Sequence, residues 1–341
     1  MTTPSAVEAA RRSPDAIIRE ESAFYSWPET VLPEGYFRTD ALEGVSTFFD
    51  ENGWLVLHEA LGEDELEALV RETTKLARNE DGTIEGVDPA GAALDDDAAM
   101  RRILCIHFPH KISKVFHDAL SCPPVVDVLT RVVGPNVKCM QSMLFIKASG
   151  KPGQAWHQDE DYIPTRDRSL IGAWIALDDA TIKNGCLWIL SGSHKPGVLW
   201  PQHFHNDQRF DCARESFNFP FSDEDSVPVE VKKGSIVFFN GYTLHRSLPN
   251  IAEGGYRRAL VNHYMSAESL LPWRKPEEVH MAIADYRDIV MVAGDDPHAW
   301  KGIEDLAKVT IRPSGEGGCE KWGGAEKKEE PVKEPVGGAS K

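Results

Sequence analysis

The stretch Ser235-Ile-Val-Phe-Phe-Asn-Gly-Tyr-Thr-Leu-His245 contains, in order, a short apolar run, a turn signal and a histidine. Val, Ile and Phe favour extended backbone, and Asn-Gly ends a strand because both residues tolerate left-handed backbone angles. Other apolar runs of this kind, separated by Gly, Pro, Asn and Asp, lie on both sides of it. The predicted strands are 136–148, 170–177, 186–190, 227–231, 235–239 and 256–265. Such a density of short strands predicts an all-β core.

Helical spacing dominates the chain before these strands. Residues 41–52 are predicted to form a short helix that ends at Gly53, and 54–57 a buried strand. An amphipathic helix is predicted over 63–79, and a further helical segment, 112–132, is broken by a Pro-Pro pair. Helices gathered before the strands, rather than alternating with them, favour an α+β, β-rich protein built on a sandwich or barrel.

We predict one folded domain, with no internal repeat, over residues 36–312. It is divided into a helical part, 36–135, a β core, 136–266, and C-terminal elements, 267–312. Residues 1–35 are polar and contain prolines, and 313–341 combine Gly pairs with a solvated charge run. Neither end is expected to build a core, and the C-terminal tail is predicted to be disordered.

Composition excludes several classes of partner. The 341 residues carry a formal net charge of −17, so the average surface repels nucleic acid and anionic lipid, and no basic patch offsets it. The apolar runs are too short for a membrane span, and the N-terminus lacks a signal-peptide pattern. Six scattered cysteines without a CxxC pair indicate reduced, mostly buried thiols. We therefore expect a cytoplasmic protein whose partner is a small-molecule substrate. The sequence does not indicate the oligomeric state.

One set of residues has the spacing of a metal site. In Trp156-His-Gln-Asp159, His157 and Asp159 are two apart and project from the same face of an extended segment. With His245 after a later strand, they would form the 2-His-1-carboxylate triad that holds Fe(II) and leaves coordination positions open. Arg257, twelve residues further on, offers a planar fork for a dicarboxylic co-substrate, and Arg258 is the alternative because only one of the two faces inward.

Several motifs then appear in an order that is typical of one family. They are His157-Gln-Asp159, Tyr162-Ile-Pro164, Ala173-Trp174, Asn184-Gly-Cys-Leu187, Ser191-Gly-Ser-His-Lys195, Gly234-Ser235, His245-Arg-Ser247, Asn250 and Arg257-Arg-Ala259. On these motifs, residues 143–264 resemble the phytanoyl-CoA dioxygenase family of Fe(II)/2-oxoglutarate oxygenases. The resemblance implies a double-stranded β-helix, a cupin-like jelly roll flanked by N-terminal helices, and Fe(II), 2-oxoglutarate and O₂ as cofactor and co-substrates.

The resemblance also implies roles for individual residues. It assigns the catalytic iron to His157, Asp159 and His245, and 2-oxoglutarate to Arg257 with Ser247 as its hydroxyl partner. By position, the remaining residues expected to line the co-substrate pocket are Met143, Gln158 and Trp174.

Substrate contacts are harder to predict. Residues 197–226 break the strand pattern with many aromatics and are interpreted as a lid. Tyr162 and the loop histidines His203 and His205 are the candidate substrate contacts. His107 and His110 are a further histidine pair, but the intervening proline argues against a shared helical face and a metal role.

The predicted activity is Fe(II)- and 2-oxoglutarate-dependent oxidation of a small organic molecule, most simply its hydroxylation, with release of succinate and CO₂. Related halogenases have a small residue at the carboxylate position, whereas this chain has Asp159, which favours hydroxylation. Two alternatives stay open. One is a cupin-type metalloenzyme that does not use 2-oxoglutarate, for which Arg257 has no necessary role. The other is a non-catalytic jelly-roll protein that only binds metal or 2-oxoglutarate.

Overall fold

The computed structural model describes residues 32–80, 84–86, 94–211, 214–271 and 288–313. Among these residues the α-helices precede the main β region. They are α1 (Val45–Asn52), α2 (Glu63–Ala77), α3 (Asp96–Arg101), α4 (Lys114–Ala119) and α5 (Pro123–Val132). The break predicted at Cys122-Pro-Pro124 is confirmed, because α5 begins at Pro123, where a missing N–H costs nothing. The predicted 63–79 helix is confirmed as α2, and three acidic residues in its first turn complement the helix dipole.

The strands begin before the helices and continue to the end of the described chain. They are β1 (Tyr36–Phe37), β2 (Trp54–Leu57), β3 (Ile103–His107), β4 (Val137–Ala148), β5 (Gln154–His157), β6 (Ile171–Ala176), β7 (Leu187–Ile189), β8 (Gln202–His203), β9 (Glu215–Ser216), β10 (Val227–Val229), β11 (Ile236–Asn240), β12 (His245–Ser247), β13 (Tyr256–Ser266), β14 (Val290–Ala293) and β15 (Thr310–Pro313). All six predicted strands between 136 and 265 are confirmed within a few residues at each end.

Two facing sheets form the jelly roll. The larger sheet has the order β1-β2-β11-β6-β13-β4-β3-β15, with β14 paired to β4, and its strands are antiparallel apart from β1 and β2. The smaller sheet has the order β10-β7-β12-β5. This arrangement confirms the predicted β-rich jelly-roll core with N-terminal helices.

Alternation along the strands of the larger sheet builds two separate cores. In β2, Trp54 and Val56 pack into the barrel core between the sheets, whereas Leu55 and Leu57 pack with the helices on the outer face. Because both faces of the sheet are covered, β2 is buried at every position. The sequence therefore shows an unbroken apolar run rather than strict alternation.

A close approach requires glycine between α1 and β2. Gly53 ends α1 with φ 77°, in the left-handed region, and its N–H donates to the carbonyl of Phe49. A Cβ at this position would lie 2.3 Å from Nδ1 of His194. Gly53 therefore brings the first helix and the loop after β7 together.

The ends of the chain extend the larger sheet beyond the predicted β core. β14 and β15 lie in the segment expected to hold C-terminal elements, and they pair with β4 and β3. Pro313, placed in the tail by the sequence, is the last residue of β15. Residues 1–31 and 314–341 lie outside the described residues, so the predicted extension and disordered tail stay predictions.

Two further sequence expectations concern membranes and thiols. Within the described ranges no helix combines the length and the apolar character that a bilayer span requires.

Cys105, Cys122, Cys139 and Cys186 are free thiols, all buried except the half-buried Cys122. Cys212 and Cys319 lie outside the described residues.

Candidate active site

Two neighbouring strands of the smaller sheet carry the predicted histidines. His157 is the last residue of β5 and His245 is the first of β12, and these strands pair with the two histidines directly opposite each other. Their ring centroids are 4.1 Å apart. After β5 the chain turns into a short 3-10 helix that starts at Asp159, which returns this carboxylate toward the histidines. Asp159 Oδ1 lies 3.6 Å from Nε2 of His157 and 3.7 Å from Nε2 of His245.

Backbone carbonyls fix which nitrogen of each histidine is available. Nδ1 of His157 lies 2.8 Å from the carbonyl oxygen of Ala155, and Nδ1 of His245 lies 3.0 Å from that of Thr243. A carbonyl only accepts, so each Nδ1 carries the proton and each Nε2 presents its lone pair toward Asp159. Both rings are therefore held in the tautomer that binds a metal through Nε2.

These donors fit a divalent transition metal. One atom from each of His157, Asp159 and His245 lies within 4.8 Å of the others, and all three side chains are buried. Two neutral imidazoles and one carboxylate are the donor set of non-haem Fe(II) sites. Burial, followed by the neighbouring His245, lowers the pKa of His157 to about 4, so the ring is neutral and competent to ligate at neutral pH. The structure thus brings together the three residues predicted from the sequence.

A fourth residue in contact with this set was missed by sequence reasoning. Nε2 of His263, on β13, lies 3.0 Å from Oδ2 of Asp159, and the His263 ring is buried. Burial alone would raise the pKa of Asp159, but His245 and His263 outweigh it, so the pKa is lowered below the usual carboxyl range. Asp159 is therefore ionised, with one oxygen facing the two histidines and the other facing His263.

Arg257 is buried on β13 and faces the same cavity. Its guanidinium carbon lies 5.4 Å from the ring centroid of Trp174, and its Nε is buried without a hydrogen-bond partner among the described residues. Burial lowers the pKa of Arg257 to about 10. Arg258, the alternative, instead makes two hydrogen bonds of 2.9 and 2.7 Å to the carboxylate of Asp178. Of the two arginines, only Arg257 is placed to receive an anion in the cavity.

A second buried cation lies beside Arg257. Lys147 on β4 pairs directly with Arg257 across the sheet, so both side chains share a face. Its Nζ donates to Ser247 Oγ at 2.9 Å and to the Leu248 carbonyl at 2.8 Å. Burial and the charge of Arg257 lower the pKa of Lys147 well below its usual value. Ser247, expected to bind 2-oxoglutarate together with Arg257, lines the same cavity and accepts this bond from Lys147; its role toward the co-substrate stays a prediction.

The triad and the two cations line one cavity of about 270 Å³. Met143 and Trp174 lie in its wall, as predicted, and so does Tyr162. An ion pair between Asp211 and Arg312 lies in the wall as well, with 3.1 Å between the charged atoms. Asp211 belongs to the segment interpreted as a lid, so this segment contributes to the cavity; that it opens and closes stays a prediction.

Three predicted site residues do not reach this cavity. The Gln158 amide donates to the carbonyls of Val198 and Tyr242, and its oxygen accepts from the N–H of Trp200. Gln158 therefore anchors neighbouring loops, because it points away from the face that His157 occupies. His203 is exposed beside Glu215, and His205 packs edge-on against Phe210, so neither loop histidine lines the cavity.

The histidine pair given no metal role is divided by the structure. His107 lines the cavity but is not part of the metal-binding group. Nδ1 of His110 lies 2.6 Å from Ser142 Oγ, and the residue is buried outside the cavity lining. That neither histidine binds a metal stays a prediction.

The amino-acid sequence of this chain is similar to a known protein family and to several of its members. The phytanoyl-CoA dioxygenase (PhyH) family model matches residues 49–259. A phytanoyl-CoA dioxygenase of Arabidopsis thaliana is 26% identical over 268 residues, covering 69% of this chain and 92% of the relative. A peroxisomal phytanoyl-CoA dioxygenase of Rattus norvegicus is 28% identical over 238 residues, covering 65% and 67%.

Solved structures share the fold. The non-heme monooxygenase ThoJ, in its apo form, superposes with a TM-score of 0.57 at 19% identity, covering 74% of this chain and 84% of that one. The epimerase SnoN, solved with Fe³⁺, alpha-ketoglutarate and nogalamycin RO, superposes with a TM-score of 0.52 at 18% identity, covering 79% and 94%.

Proposed function

The chain belongs to the phytanoyl-CoA dioxygenase family, and from this premise we propose that it is an Fe(II)- and 2-oxoglutarate-dependent dioxygenase that hydroxylates a small organic molecule. The observation that carries the proposal is the joint placement, in one cavity, of the His-Asp-His group and a buried arginine whose Nε has no hydrogen-bond partner among the described residues. Fe(II) held by the group would supply oxidation of a substrate C–H bond by O₂, coupled to conversion of 2-oxoglutarate to succinate and CO₂.

His157, Asp159 and His245 would hold the iron on one side. The two histidines supply neutral nitrogens from strands whose register is fixed by pairing, and Asp159 supplies a negative oxygen from the 3-10 helix that follows β5. Each Nδ1 keeps its proton and donates it to the carbonyl of Ala155 or Thr243, so metal binding requires no ring rotation or tautomer change.

Arg257 and Lys147 would receive the carboxylate of 2-oxoglutarate that lies far from the metal. A buried guanidinium without a partner is costly, and an anionic ligand that accepts its hydrogen bonds offsets that cost. The indole of Trp174 holds the guanidinium in place by a cation–π contact. Lys147 lies beside Arg257 on the same face and keeps the Ser247 hydroxyl oriented.

The walls around the triad would exclude water during oxidation. They include Met143, Phe145, Phe239 and Val261, which carry no hydrogen-bonding side-chain groups other than the weak thioether. A dry wall protects reactive species from side reactions and strengthens the electrostatic contacts inside the cavity.

The cavity limits what the substrate can be. A volume of about 270 Å³ suits a small molecule, or the reactive end of a longer one, rather than a folded macromolecule. Leu104, Tyr162 and Ile163 give apolar contact, and the Asp211–Arg312 pair gives polar contact. The retained Asp159 supports hydroxylation rather than halogenation, because halide would need the position that this carboxylate fills.

The buried Arg257, whose Nε has no hydrogen-bond partner in the described part of the chain, weighs against the cupin-type alternative, since a reaction without 2-oxoglutarate gives this charge no ligand. The assembled donor group weighs against a purely binding role.

A product assay tests the proposal. Iron-loaded protein is incubated aerobically with 2-oxoglutarate and panels of acyl thioesters, amino acids and polycyclic aromatic substrates, and succinate and product masses are measured. We expect one class to give a product heavier by one oxygen atom, with stoichiometric succinate. Arg257→Gln should abolish both products, whereas Arg258→Gln, the matched outward-facing control, should retain them. Oxidised product formed without 2-oxoglutarate would contradict the proposal.

A further inference from the structure

Strand β13 carries a row of side chains that runs along the cavity. Residues two apart on a strand share a face, so Arg257, Ala259, Val261 and His263 all point to the interior side of β13. Arg257, Val261 and His263 line the cavity, and Ala259 is fully buried in the barrel core between them. One rigid strand therefore carries the co-substrate arginine near one end and His263 near the other.

His263 contacts the candidate metal-binding residues through one pair of atoms. Its Nε2 lies 3.0 Å from Asp159 Oδ2, whereas the oxygen that faces the two metal-binding histidines is Oδ1. Since an ionised carboxylate only accepts, the imidazole donates its Nε2–H in this contact. The two oxygens of Asp159 are thereby given different partners.

We propose that His263 is a positioning residue. By donating a hydrogen bond to Asp159 Oδ2, it leaves only Oδ1 free to bind the metal. The inference rests on the proposed function of the His-Asp-His group. A carboxylate that binds through one oxygen takes one coordination position, and the two histidines take two more. The positions that 2-oxoglutarate and O₂ need are then left open.

The surroundings of His263 argue against a role as a fourth metal ligand. Among the described residues the group of converging ligand atoms comprises His157, Asp159 and His245 only. Nε2 of His263 is committed to Oδ2, and its Nδ1 is buried without a hydrogen-bond partner in the described part of the chain. The His263 ring is therefore held in place by its burial against the neighbouring side chains and by its hydrogen bond to Asp159.

Metal binding of three variants tests the proposal without using activity. His263→Ala removes the donor, and His263→Gln keeps an N–H donor at a similar reach. The control, His110→Gln, alters another buried histidine that bonds to Ser142 and not to the triad. Co(II) affinity is measured by calorimetry, the Co(II) absorption spectrum reports coordination number, and a thermal melt of the metal-free protein reports folding.

We expect His263→Ala to weaken Co(II) binding by about 10- to 100-fold and to change the Co(II) spectrum toward higher coordination, as Asp159 becomes free to bind with both oxygens. His263→Gln should recover most of the affinity and the wild-type spectrum, and His110→Gln should match wild type in both. If His263→Ala binds Co(II) like wild type, the positioning role is wrong. If both His263 variants lose affinity and show fewer ligands, His263 is itself a ligand and the inference is overturned. If wild-type protein binds no metal, it is the proposed function that fails.

Discussion

Replacing Arg257 by methionine should make the ligand-free protein more stable while removing 2-oxoglutarate binding. Arg257 is 3% exposed, and burial lowers its pKa from its ordinary value to about 10. The difference of about 2.5 pH units, at about 1.4 kcal/mol per unit, corresponds to about 3 kcal/mol of unfavourable free energy for keeping the charge buried. At pH 7 the side chain is protonated in both folded and unfolded states, so this cost is fully present there and is relieved only above about pH 10.

Methionine fills a similar volume against Trp174 without a charge, so Arg257→Met should recover part of this free energy. The assay is urea unfolding of metal-free protein, where we expect the free energy of unfolding to rise by about 1–3 kcal/mol. A second series adds Mn(II) and 2-oxoglutarate, which at one hundred times its dissociation constant should stabilise wild type by about 2.7 kcal/mol and the variant by almost nothing.

Arg258→Met is the matched control, because it removes an arginine that is already paired with Asp178 outside the cavity. It should not gain stability and should keep the full 2-oxoglutarate effect. The reasoning is refuted if Arg257→Met is clearly less stable than wild type, or if 2-oxoglutarate stabilises it as much as wild type.

Further predictions concern other buried charges and histidines. Asp211→Asn removes the carboxylate that lies 3.1 Å from the Arg312 guanidinium, and should lower the free energy of unfolding in urea by about 3 kcal/mol. Arg312→Met combined with Asp211→Asn should restore most of that loss, and an equal loss in the double variant would contradict a charge effect. Burial lowers the pKa values of His107 and His110 to about 4, so the unfolded state binds more protons than the folded state between about pH 6.5 and 4. Stability should therefore fall as the pH falls through this window, and His110→Gln should reduce the slope in a pH series of thermal melts; an unchanged slope would count against a buried neutral His110.

Residues that depend on local pattern could be predicted from the sequence. His157 and Asp159 follow from strand periodicity, and His245 from the apolar run and Asn-Gly turn before it. Alternation also predicts that only one of Arg257 and Arg258 faces inward, and the resemblance to the family favoured Arg257. In the structure Arg257 lines the cavity and Arg258 pairs with Asp178 outside it, while the binding of 2-oxoglutarate by Arg257 stays a prediction.

The same alternation, applied consistently, would have corrected Gln158 and found His263. Gln158 follows His157 directly, so it points away from the face that carries the ligand. His263 lies an even number of residues from Arg257 on the same strand, so alternation places both side chains on the same face of β13. This spacing could have predicted that His263 faces the cavity. Position matching to the family suggested Gln158 instead, and the backbone bonds of its amide show its structural role.

Pairing between strands that are distant in the sequence determines which further residues line the cavity, and the sequence did not predict these residues. Lys147 becomes part of the site only because β4 and β13 pair in a register that puts it beside Arg257. Arg312 enters the cavity wall because β15 returns to β3, some 200 residues earlier in the chain. His203 and His205 sit in a loop whose path depends on tertiary contacts, so no periodicity could place them.

The central claim is that His157, Asp159, His245 and Arg257 together bind iron and 2-oxoglutarate. The most direct measurement adds Fe(II) and then 2-oxoglutarate to metal-free protein under anaerobic conditions and records the visible charge-transfer band of the chelate. We predict a band in wild type and in Arg258→Met, and a lost or much weaker band in His157→Ala and Arg257→Met. Wild-type protein that binds Fe(II) but gives no band with 2-oxoglutarate would contradict the account.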